Sequence, residues 1–535
     1  MRFLSLLAFG LACLSASPAG AMDSTTALEK LALGGAPAKL EAIDGAVAAG
    51  DTEAVPMLRA LLEGRLSVAG GKQIVIEEQG ALLDPITRRP VVAAGELEKV
   101  SINNRVRRAL ERALAALGLF APVVAERLEA ARALQQSADE EVLPTVERAL
   151  LQEKNGQVKD LLRSIEAGLS LTSPDREKRL AAIDVLRRSP STHNKRLLLQ
   201  RLGSSAEQAG VETDPTVRDA LERAIESIDG SLHLAEMVGW VFGGLSLGSI
   251  LLLAALGLAI TFGLMGVINM AHGELLMIGA YATYVVQTLF RHHFPGVFSW
   301  YLAAAVPAAF LAAGLVGLLL EQTVVRALYG RPLETLLATW GVSLLLIQSV
   351  RLLFGAQNVE VANPNWMSGG ISAMWGLVLP YNRIAILGFA VLVLLLVWLL
   401  LTRTRLGLFV RAVMQNRGMA SGLGVATPWV DALAFALGSG IAGLGGCALS
   451  QIGNVGPELG QAFIVDSFMV VVLGGVGQLA GTVIAAAGLG QVNKLLEPYA
   501  GAVLAKITVL VFVILFIQRR PQGLFAPRGR AAEDA

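Results

Sequence analysis

The chain has 535 residues, is 54% hydrophobic and only 16% charged, and carries a formal net charge of +1. This balance gives no field that would recruit nucleic acid or an anionic surface, and the positive mean hydropathy disfavours a purely soluble protein. Charge is unevenly distributed, because residues 22–236 are rich in Arg, Glu and Asp, whereas Glu274 is the only Asp, Glu, Lys or Arg between Glu236 and Arg291. The composition therefore predicts two unlike domains.

Residues 1–21 have the features of a secretory signal peptide. Arg2 supplies the positive start, Phe3–Leu14 form an apolar core too short to span a bilayer, and the small residues Ala19–Ala21 match a cleavage site. A lipoprotein signal at Cys13 is the alternative, but Cys13 lacks a good lipobox. After cleavage Cys447 would be the single cysteine, so no internal disulfide is expected.

Residues 22–232 are predicted to form an extracytoplasmic, mainly helical domain. Amphipathic stretches recur there, and several follow a Ser, Thr or Asp with a Pro, a combination that starts helices. Four such stretches are Glu53–Leu62, Asn104–Leu117, Glu141–Leu151 and Thr216–Ile228. The segments "TDPTVRDALERAIESI" and "DREKRLAAIDVLRRSP" resemble units of a helical solenoid of the HEAT kind.

The pattern changes between Leu66 and Val92, where "KQIVIEE" and "DPITRRPVV" predict a short strand pair with a turn at Asp84-Pro85. His193 and His233 are isolated, and no acid pair or Gly-rich phosphate loop accompanies them. We therefore expect this domain to dock or to scaffold rather than to catalyse.

Residues 236–518 are predicted to be a bundle of membrane-spanning helices, because about 20 apolar residues satisfy their backbone hydrogen bonds inside lipid when they are helical. Eight apolar runs are long enough or nearly so. They are Met237–Leu258, Leu264–Leu289, Trp300–Leu320, Thr335–Phe354, Arg383–Leu401, Trp429–Leu449, Ile464–Leu489 and Ala500–Ile517.

Basic clusters predict the orientation, since loops rich in Lys and Arg stay in the cytoplasm. The clusters lie near Arg326, at Arg403–Arg417 and in the tail, residues 519–535. With the N-terminus outside, the first five runs obey this rule, but three further runs would leave the tail outside. We therefore expect eight or nine spans, with one run doubled or re-entrant in the glycine-rich region Gly438–Gly490.

Polar side chains interrupt the apolar sequence Gly263–Tyr281 at Asn269, His272 and Glu274. Such groups are costly in lipid, so they should face a cavity, the bundle interior or one another. If the segment is helical, Asn269 and His272 lie on one face. Two interpretations stay open: a hydrogen-bonded turn between two helices, or a part of the solute path that includes Gly273.

Small residues recur where helices would pack closely in lipid. Gly438, Ala442 and Gly446 occupy every fourth position, and Gly474 and Gly475 form a second candidate. Two charged side chains in the apolar runs, Asp466 and Lys506, are expected at the membrane interface, where a long stem carries its charge to water.

The sequence "GLSLG" at Gly244–Gly248 formally matches the nucleophile elbow of serine hydrolases. Ser246 nevertheless lies in a continuous apolar helix rather than in a strand-to-helix turn, so an intramembrane hydrolase is the disfavoured alternative. No P-loop occurs in the chain, which assigns any ATP hydrolysis to another protein. We expect neither a metal nor a cofactor.

Five segments, taken in order, resemble permeases of branched-chain amino acid ABC importers. They are "GLAITFGLMGVINMAHGELLMIGAY", "RTRLGLFVRAVMQNRGMASGLGV", "LGSGIAGLGGCAL", "FMVVVLGGVGQLAGTVIAA" and "RPQGLF". The long secreted extension and the ending "NKLLEPYAGAVLAKITVLVFVILFIQRRPQGLF" resemble the urea-transporting members, and within them the first of the two permease subunits. The resemblance implies an all-α polytopic permease of the plasma (inner) membrane that carries urea, with branched-chain amino acids or short amides as the alternatives.

The same resemblance implies partners. These are a second permease subunit in a heterodimer, two cytoplasmic ATP-binding subunits and a periplasmic solute-binding protein. The loop Arg405–Val425 resembles the coupling segment that fits a groove of the ATPase. The candidate contact residues are Arg405, Gly407, Arg411, Asn416, Arg417 and Gly424. Without the resemblance, a basic loop of this kind is expected only to anchor the topology.

Overall fold

The computed structural model describes residues 24–70, 73–78, 81–85, 87–92, 97–137, 139, 142–203, 211–266, 268–374 and 376–525. The predicted signal peptide and the last ten residues of the tail lie outside these ranges. The chain divides into two compact units between Leu232 and His233.

The first unit consists mainly of short amphipathic helices. They are α1 (Ser24–Leu33), α2 (Ala36–Ala49), α3 (Val55–Leu62), α4 (Asn104–Gly118), α5 (Val124–Ser137), α6 (Leu143–Gln152), α7 (Gly156–Ser170), α8 (Arg176–Arg188), α9 (Thr192–Leu202) and the beginning of α10 (Pro215–Met265). Local caps start several of them; for example, the side-chain oxygen of Asn103 accepts a 2.9 Å hydrogen bond from the amide of Val106. The HEAT-like arrangement stays a prediction.

The first unit also holds a four-stranded antiparallel sheet, where two strands were expected. The strands are β1 (Leu66–Ala69), β2 (Gln73–Glu78), β3 (Ala81–Leu83) and β4 (Leu97–Lys99), in the order β3-β2-β1-β4. The predicted turn is present, because the Asp84 carboxylate accepts a 2.7 Å hydrogen bond from the amide of Thr87. β2 falls in the predicted segment "KQIVIEE", but the strand expected at "DPITRRPVV" is wrong, because the described residues of that segment hold only the turn and an isolated bridge from Pro90 to Leu83. β1, β3 and β4 escape prediction because strands of three or four residues are too short to show an alternating pattern.

One ionic contact occurs twice in the helices of the first unit. Arg127 of α5 donates to two carbonyl oxygens of the preceding loop and pairs with Glu153 at 2.8 Å. Arg179 of α8 makes the same two kinds of contact, with Glu212 at 2.9 Å. Each glutamate also accepts hydrogen bonds from the two backbone amides that follow it. The repetition indicates two structurally related groups of helices.

The second unit is a bundle of longer, more apolar helices with one β-hairpin. Its elements are the rest of α10, α11 (His272–His293), α12 (Tyr301–Leu320), α13 (Pro332–Phe354), β5 (Gly370–Met374), β6 (Leu377–Pro380), α14 (Tyr381–Arg403), α15 (Arg405–Gln415), α16 (Arg417–Gly422), α17 (Thr427–Ser450), α18 (Leu459–Gly474) and α19 (Leu479–Arg519). Among the described residues, six helices are long and apolar enough to cross a membrane. The expected eight or nine spans stay a prediction.

The predicted run Leu264–Leu289 is not one helix. α10 ends at Met265, Gly266 adopts a left-handed backbone with φ 63°, and α11 begins only at His272. Asn269 therefore lies outside both helices, so the condition under which it would share a helix face with His272 is not met. The chain breaks because Gly266 accepts a conformation that ends the helix.

The predicted run Ile464–Leu489 likewise belongs to two helices, α18 and α19. Gly475 separates them with φ 98° and so ends α18. A Cβ there would overlap the Phe525 carbonyl oxygen, so its close contact is with the tail rather than with a neighbouring helix. Gly474 does lie against a neighbouring helix, since a Cβ there would come within 2.5 Å of the backbone of Gly481 in α19.

α19 reverses direction at Gly501, whose φ of 76° and ψ of 162° are not helical. A straight helix of these 41 residues would extend about 60 Å. Gly481 near its start nevertheless lies against Gly474, and just beyond its end the amide of Leu524 donates a 2.8 Å hydrogen bond to the Leu473 carbonyl. Both ends of α19 thus meet α18 at the same place, and two predicted runs contain three helical segments.

α17 lies at the centre of the second unit and contacts its neighbours through small side chains. Gly438, Ala442 and Gly446 are all buried. A Cβ at Gly438 would come within 2.6 Å of the Gly257 carbonyl oxygen of α10, and a Cβ at Gly446 would overlap the carbonyl of Leu276 in α11. The backbones of α10 and α11 therefore approach α17 closely, which places the break between them inside the bundle.

Candidate functional site

The break between α10 and α11 and the first turn of α11 hold a set of buried polar side chains. Asn269, His272 and Glu274 are each exposed by 1% or less. The side-chain oxygen of Asn269 accepts a 3.0 Å hydrogen bond from the amide of Ala271, and the ring Nε2 of His272 lies 3.0 Å from the Ala254 carbonyl oxygen. These bonds form a turn that joins the two helices, which was one of the two interpretations of the sequence.

Three buried polar atoms of this turn have no hydrogen-bond partner in the described part of the chain. Asn269 Nδ2, His272 Nδ1 and Glu274 Oε2 have no hydrogen-bond partner among the described residues. Buried polar atoms are rarely left unpaired in native proteins. An amide donor, an imidazole nitrogen and a carboxylate acceptor are therefore available within six residues of chain.

Gly273 serves a different purpose from its polar neighbours. A Cβ at this position would come within 2.6 Å of the Gly460 carbonyl oxygen of α18. Gly273 thus allows α11 and α18 to approach each other closely.

A stripe of hydroxyl side chains on α13, which was not predicted from the sequence, lies beside the break. Thr335, Thr339 and Ser343 are buried and follow one another at four-residue intervals. Thr339 Oγ1 accepts a 3.2 Å hydrogen bond from the amide of Met270, and Ser343 Oγ donates a 2.8 Å hydrogen bond to Glu274 Oε1. The available signal was the regular spacing of hydroxyls in an otherwise apolar helix.

The basic loop after α14 folds into α15 and α16. Three of the predicted ATPase-contact residues have local structural roles in this loop. Gly407 donates its amide to Thr404 Oγ1 at 3.3 Å and lies against the Leu401 carbonyl. Asn416 caps α16 by accepting a 2.9 Å hydrogen bond from the amide of Met419. Gly424 takes a left-handed conformation with φ 87°.

The outer face of this loop combines cations with exposed apolar side chains. Arg405 and Arg411 are exposed, and neither forms an ion pair with a described residue. Met419 and Leu423 expose 65% and 80% of their surfaces. Exposed apolar side chains bordered by charge are typical of a protein interaction surface.

Arg417 differs from the other arginines of the loop because its side chain is engaged inside the chain. Its guanidinium lies 2.5 Å from the buried carboxylate of Asp431 in α17 and stacks on the ring of Tyr329, with 4.5 Å between the Arg417 Cζ and the ring centroid. Sequence reasoning did not find this pair, because the two partners carry no motif and the bond depends on the tertiary fold.

Asp466 and Lys506 were expected separately at the membrane interface, and the structure shows that they form a pair. Asp466 lies in the middle of α18 with 10% of its side chain exposed, and its carboxylate is 3.2 Å from the ammonium of Lys506 in α19. Pairing reduces the cost of placing either charge among apolar helices.

Ser246 is completely buried in α10, and its hydroxyl has no hydrogen-bond partner among the described residues. A serine hydrolase needs a His in hydrogen-bond contact with its nucleophile, and that contact is not found here. The described residues also contain no group of three or more His, Cys, Asp or Glu side chains that could hold a metal ion.

Residues 240–518 match the family model described as "Branched-chain amino acid transport system / permease component". The chain belongs to this permease family. The permease is 30% identical to the high-affinity branched-chain amino acid transport system permease protein BraD of Pseudomonas aeruginosa, over 52% of this chain and 93% of BraD. It is 28% identical to LivH of Escherichia coli K12, over 53% of this chain and 94% of LivH.

The alignments account for nearly all of these relatives but for only about half of the permease described here. The family match begins at residue 240, so the first unit lies outside the matched region. No solved structure matches the chain.

Proposed function

We propose that this chain is the transmembrane permease subunit of an ABC importer that carries urea across the plasma (inner) membrane, with ATP hydrolysed by separate subunits. The observation that carries the proposal is the set of unpaired polar atoms, Asn269 Nδ2 and Glu274 Oε2, buried in a member of the permease family. Such atoms can bind a small polar solute that has lost its water.

Urea has the hydrogen-bonding groups that these atoms require. It is neutral, its amide N–H groups can donate to Glu274 Oε2, and its carbonyl oxygen can accept from Asn269 Nδ2. The other buried acids of the second unit, Glu321, Asp431 and Asp466, are each paired with an Arg or a Lys. Among the described residues of this unit, Glu274 is thus the buried acid without an Arg or Lys partner, so its free oxygen is available to a donor such as a urea N–H group.

The long N-terminal extension also supports urea. The extension and the C-terminal sequence resemble urea permeases, whereas the match to the branched-chain amino acid permease family begins only at residue 240. The first unit would lie outside the cytoplasm after removal of residues 1–21, where it would dock or hold partners in place.

A branched-chain amino acid is the second candidate solute, and the names of BraD and LivH favour it. The ammonium of such a solute would pair with Glu274, and its carboxylate would lie near Asn269 and the N-terminal end of α11. Short amides would use the same atoms as urea. The relatives' names and the extension thus point to different solutes.

ATP binding and hydrolysis by partner subunits would drive transport through the permease. A loaded solute-binding protein would dock outside, two ATPase subunits would close on ATP, and a second permease would complete the path. The outer face of α15 and α16, with Arg405, Arg411, Met419 and Leu423, is the surface that we assign to the ATPase. Alternating access of the helices then moves the solute inward.

Uptake by the assembled complex in proteoliposomes tests these assignments. We expect ATP-dependent uptake of labelled urea that excess unlabelled urea reduces and excess leucine does not. Leucine uptake without urea uptake would establish the second candidate. Uptake that continues when the partner ATPase cannot hydrolyse ATP would contradict an importer of this class and favour a channel or a secondary transporter.

A further inference from the structure

Five residues form an ionic cluster, built on two buried acids, beside the loop that we assign to the ATPase. They belong to three segments: the end of α12 with its following turn, the start of α16, and the start of α17. We call Glu321, Arg326, Tyr329, Arg417 and Asp431 the arginine joint.

The first half of the arginine joint is the pair of Glu321 and Arg326. The Glu321 side chain is completely buried and receives two hydrogen bonds from the Arg326 guanidinium, at 3.2 and 3.0 Å. Arg326 also donates to the carbonyl of Pro428 at 3.3 Å, which links the turn after α12 to the start of α17. Glu321 begins a π-helical turn, a strained form that recurs at functional positions in helices.

The second half is the contact of Arg417 with Asp431 and Tyr329. Only 1% of the Asp431 side chain is exposed, while 43% of Arg417 is exposed, so the arginine reaches from the surface into the bundle. Its stacking on Tyr329 connects α16 to the turn that carries Arg326. The two arginines therefore cross-link all three segments.

The arginine joint binds α16 of the loop but makes no ion pair with Arg411 of α15. Arg417 is the first residue of α16, and the exposed side chains Met419 and Leu423 follow within six positions. Arg411 on α15 has no such bond to a described residue. The α16 part of the exposed surface is thus attached to the membrane helices through Arg417.

We propose that the arginine joint is the element that transmits movement of the coupling loop to α12 and α17, with Arg417 and Asp431 as positioning residues that do not contact the ATPase. This proposal rests on the proposed function, because it assumes that the outer face of α15 and α16 binds an ATPase.

The physical reason is the cost of separating these charges. A buried carboxylate that loses its arginine is left without a counter-charge, so displacement of α16 must carry α17 with it or leave Asp431 unpaired. Asp431 Oδ1 has no hydrogen-bond partner among the described residues, so no second donor in this part of the chain holds the acid when Arg417 leaves. The planar guanidinium of Arg417 pairs with Asp431 and at the same time stacks on the Tyr329 ring, a combination that the ammonium of a lysine does not reproduce.

The test measures solute imported per ATP hydrolysed by the complete complex in proteoliposomes. We expect Asp431→Asn and Arg417→Lys to lower this ratio about fivefold or more, as is typical of a lost coupling between sites, while the ATPase subunits still co-purify. Tyr329→Leu keeps all charges and should lower the ratio to a smaller extent. The matched control is Glu334→Gln, which removes the exposed pair of Arg331 and Glu334 near the same turn.

The possible outcomes distinguish the proposal for the arginine joint from the proposal that the loop binds the ATPase. Arg411→Ala should instead weaken co-purification of the ATPase. An unchanged ratio in Asp431→Asn, Arg417→Lys and Tyr329→Leu, with intact assembly, would overturn the joint and leave the proposed function standing. Loss of the ATPase in Arg417→Lys would overturn the positioning role in favour of direct contact. Absence of ATP-dependent uptake in the unaltered complex would instead refute the proposed function.

Discussion

Ser343 on α13 donates a 2.8 Å hydrogen bond to the buried carboxylate of Glu274, 69 residues earlier in the chain. This bond occupies one carboxylate oxygen and leaves the other, Oε2, without a partner among the described residues. The hydroxyl orients the acid in the first turn of α11, where the proposed function places the solute.

Glu274→Gln should reduce solute uptake by about tenfold or more, since one lost hydrogen bond to a charged group is worth about 1.5–3 kcal/mol. The amide oxygen of the new side chain would accept from Ser343, which turns its NH₂ group toward the solute as a donor. Uptake and ATPase activity of the complex are measured together. Ser349→Ala on the exposed face of α13 is the control, and equal uptake in both variants would remove Glu274 from the path.

Gly446→Ala should destabilise the second unit by about 1–3 kcal/mol, because the added methyl overlaps the Leu276 carbonyl and forces α11 away from α17. Thermal unfolding in detergent measures the change. Gly341→Ala in α13 is the matched control, since a Cβ there meets nothing within 4 Å and alanine favours a helix. Similar unfolding temperatures for the two variants would contradict the close contact.

The pair of Arg127 and Glu153 should stabilise the first unit by about 3 kcal/mol relative to Glu153→Gln, because only 3% of the Glu153 side chain is exposed. Hydrogen exchange of the full chain at α6 and α7 reports the loss. Asp160→Asn is the control, because the pair of Asp160 and Arg163 is solvent-exposed and should be worth about 1 kcal/mol or less.

The same pair should make the first unit sensitive to acid. Hydrogen bonding from Arg127 lowers the pKa of Glu153 below its ordinary value. The folded state therefore binds fewer protons than the unfolded chain, so the stabilisation is complete above the unfolded pKa of about 4.3 and is lost as the pH falls through the lower folded pKa. Hydrogen exchange that is unchanged down this pH range would contradict the prediction.

The tail and the loop Arg405–Val425 should lie on the same side of the membrane. Met414 of α15 lies within contact distance of a Cβ built at Gly477, and Leu524 of the tail binds Leu473 nearby. A membrane-impermeant maleimide should label Leu408→Cys and Leu524→Cys from the same side and only in inverted vesicles. Cys447 is buried and should react little. Labelling of the two sites from opposite sides would refute this topology.

Local sequence predicted individual helices well where caps and periodicity agree. The helix expected at Asn104–Leu117 is α4, Asn104–Gly118, because the Asn103 cap and the apolar stripe depend only on neighbouring residues. The breaks were harder to predict. Apolar runs continue through Gly266, Gly475 and Gly501, and hydropathy does not distinguish a helical glycine from one with positive φ.

Sequence by itself determined the membrane class and the family, from long apolar runs and from motifs in a fixed order. It also determined which polar residues must be buried, because exposing polar groups to lipid costs free energy wherever they occur in an apolar helix. Only the tertiary structure decided which of these residues meet. Ser343 reaches Glu274, and Asp431 reaches Arg417, through contacts between helices that are distant in sequence. These contacts depend on how the helices pack against one another, so the spacing of residues within one segment does not predict them.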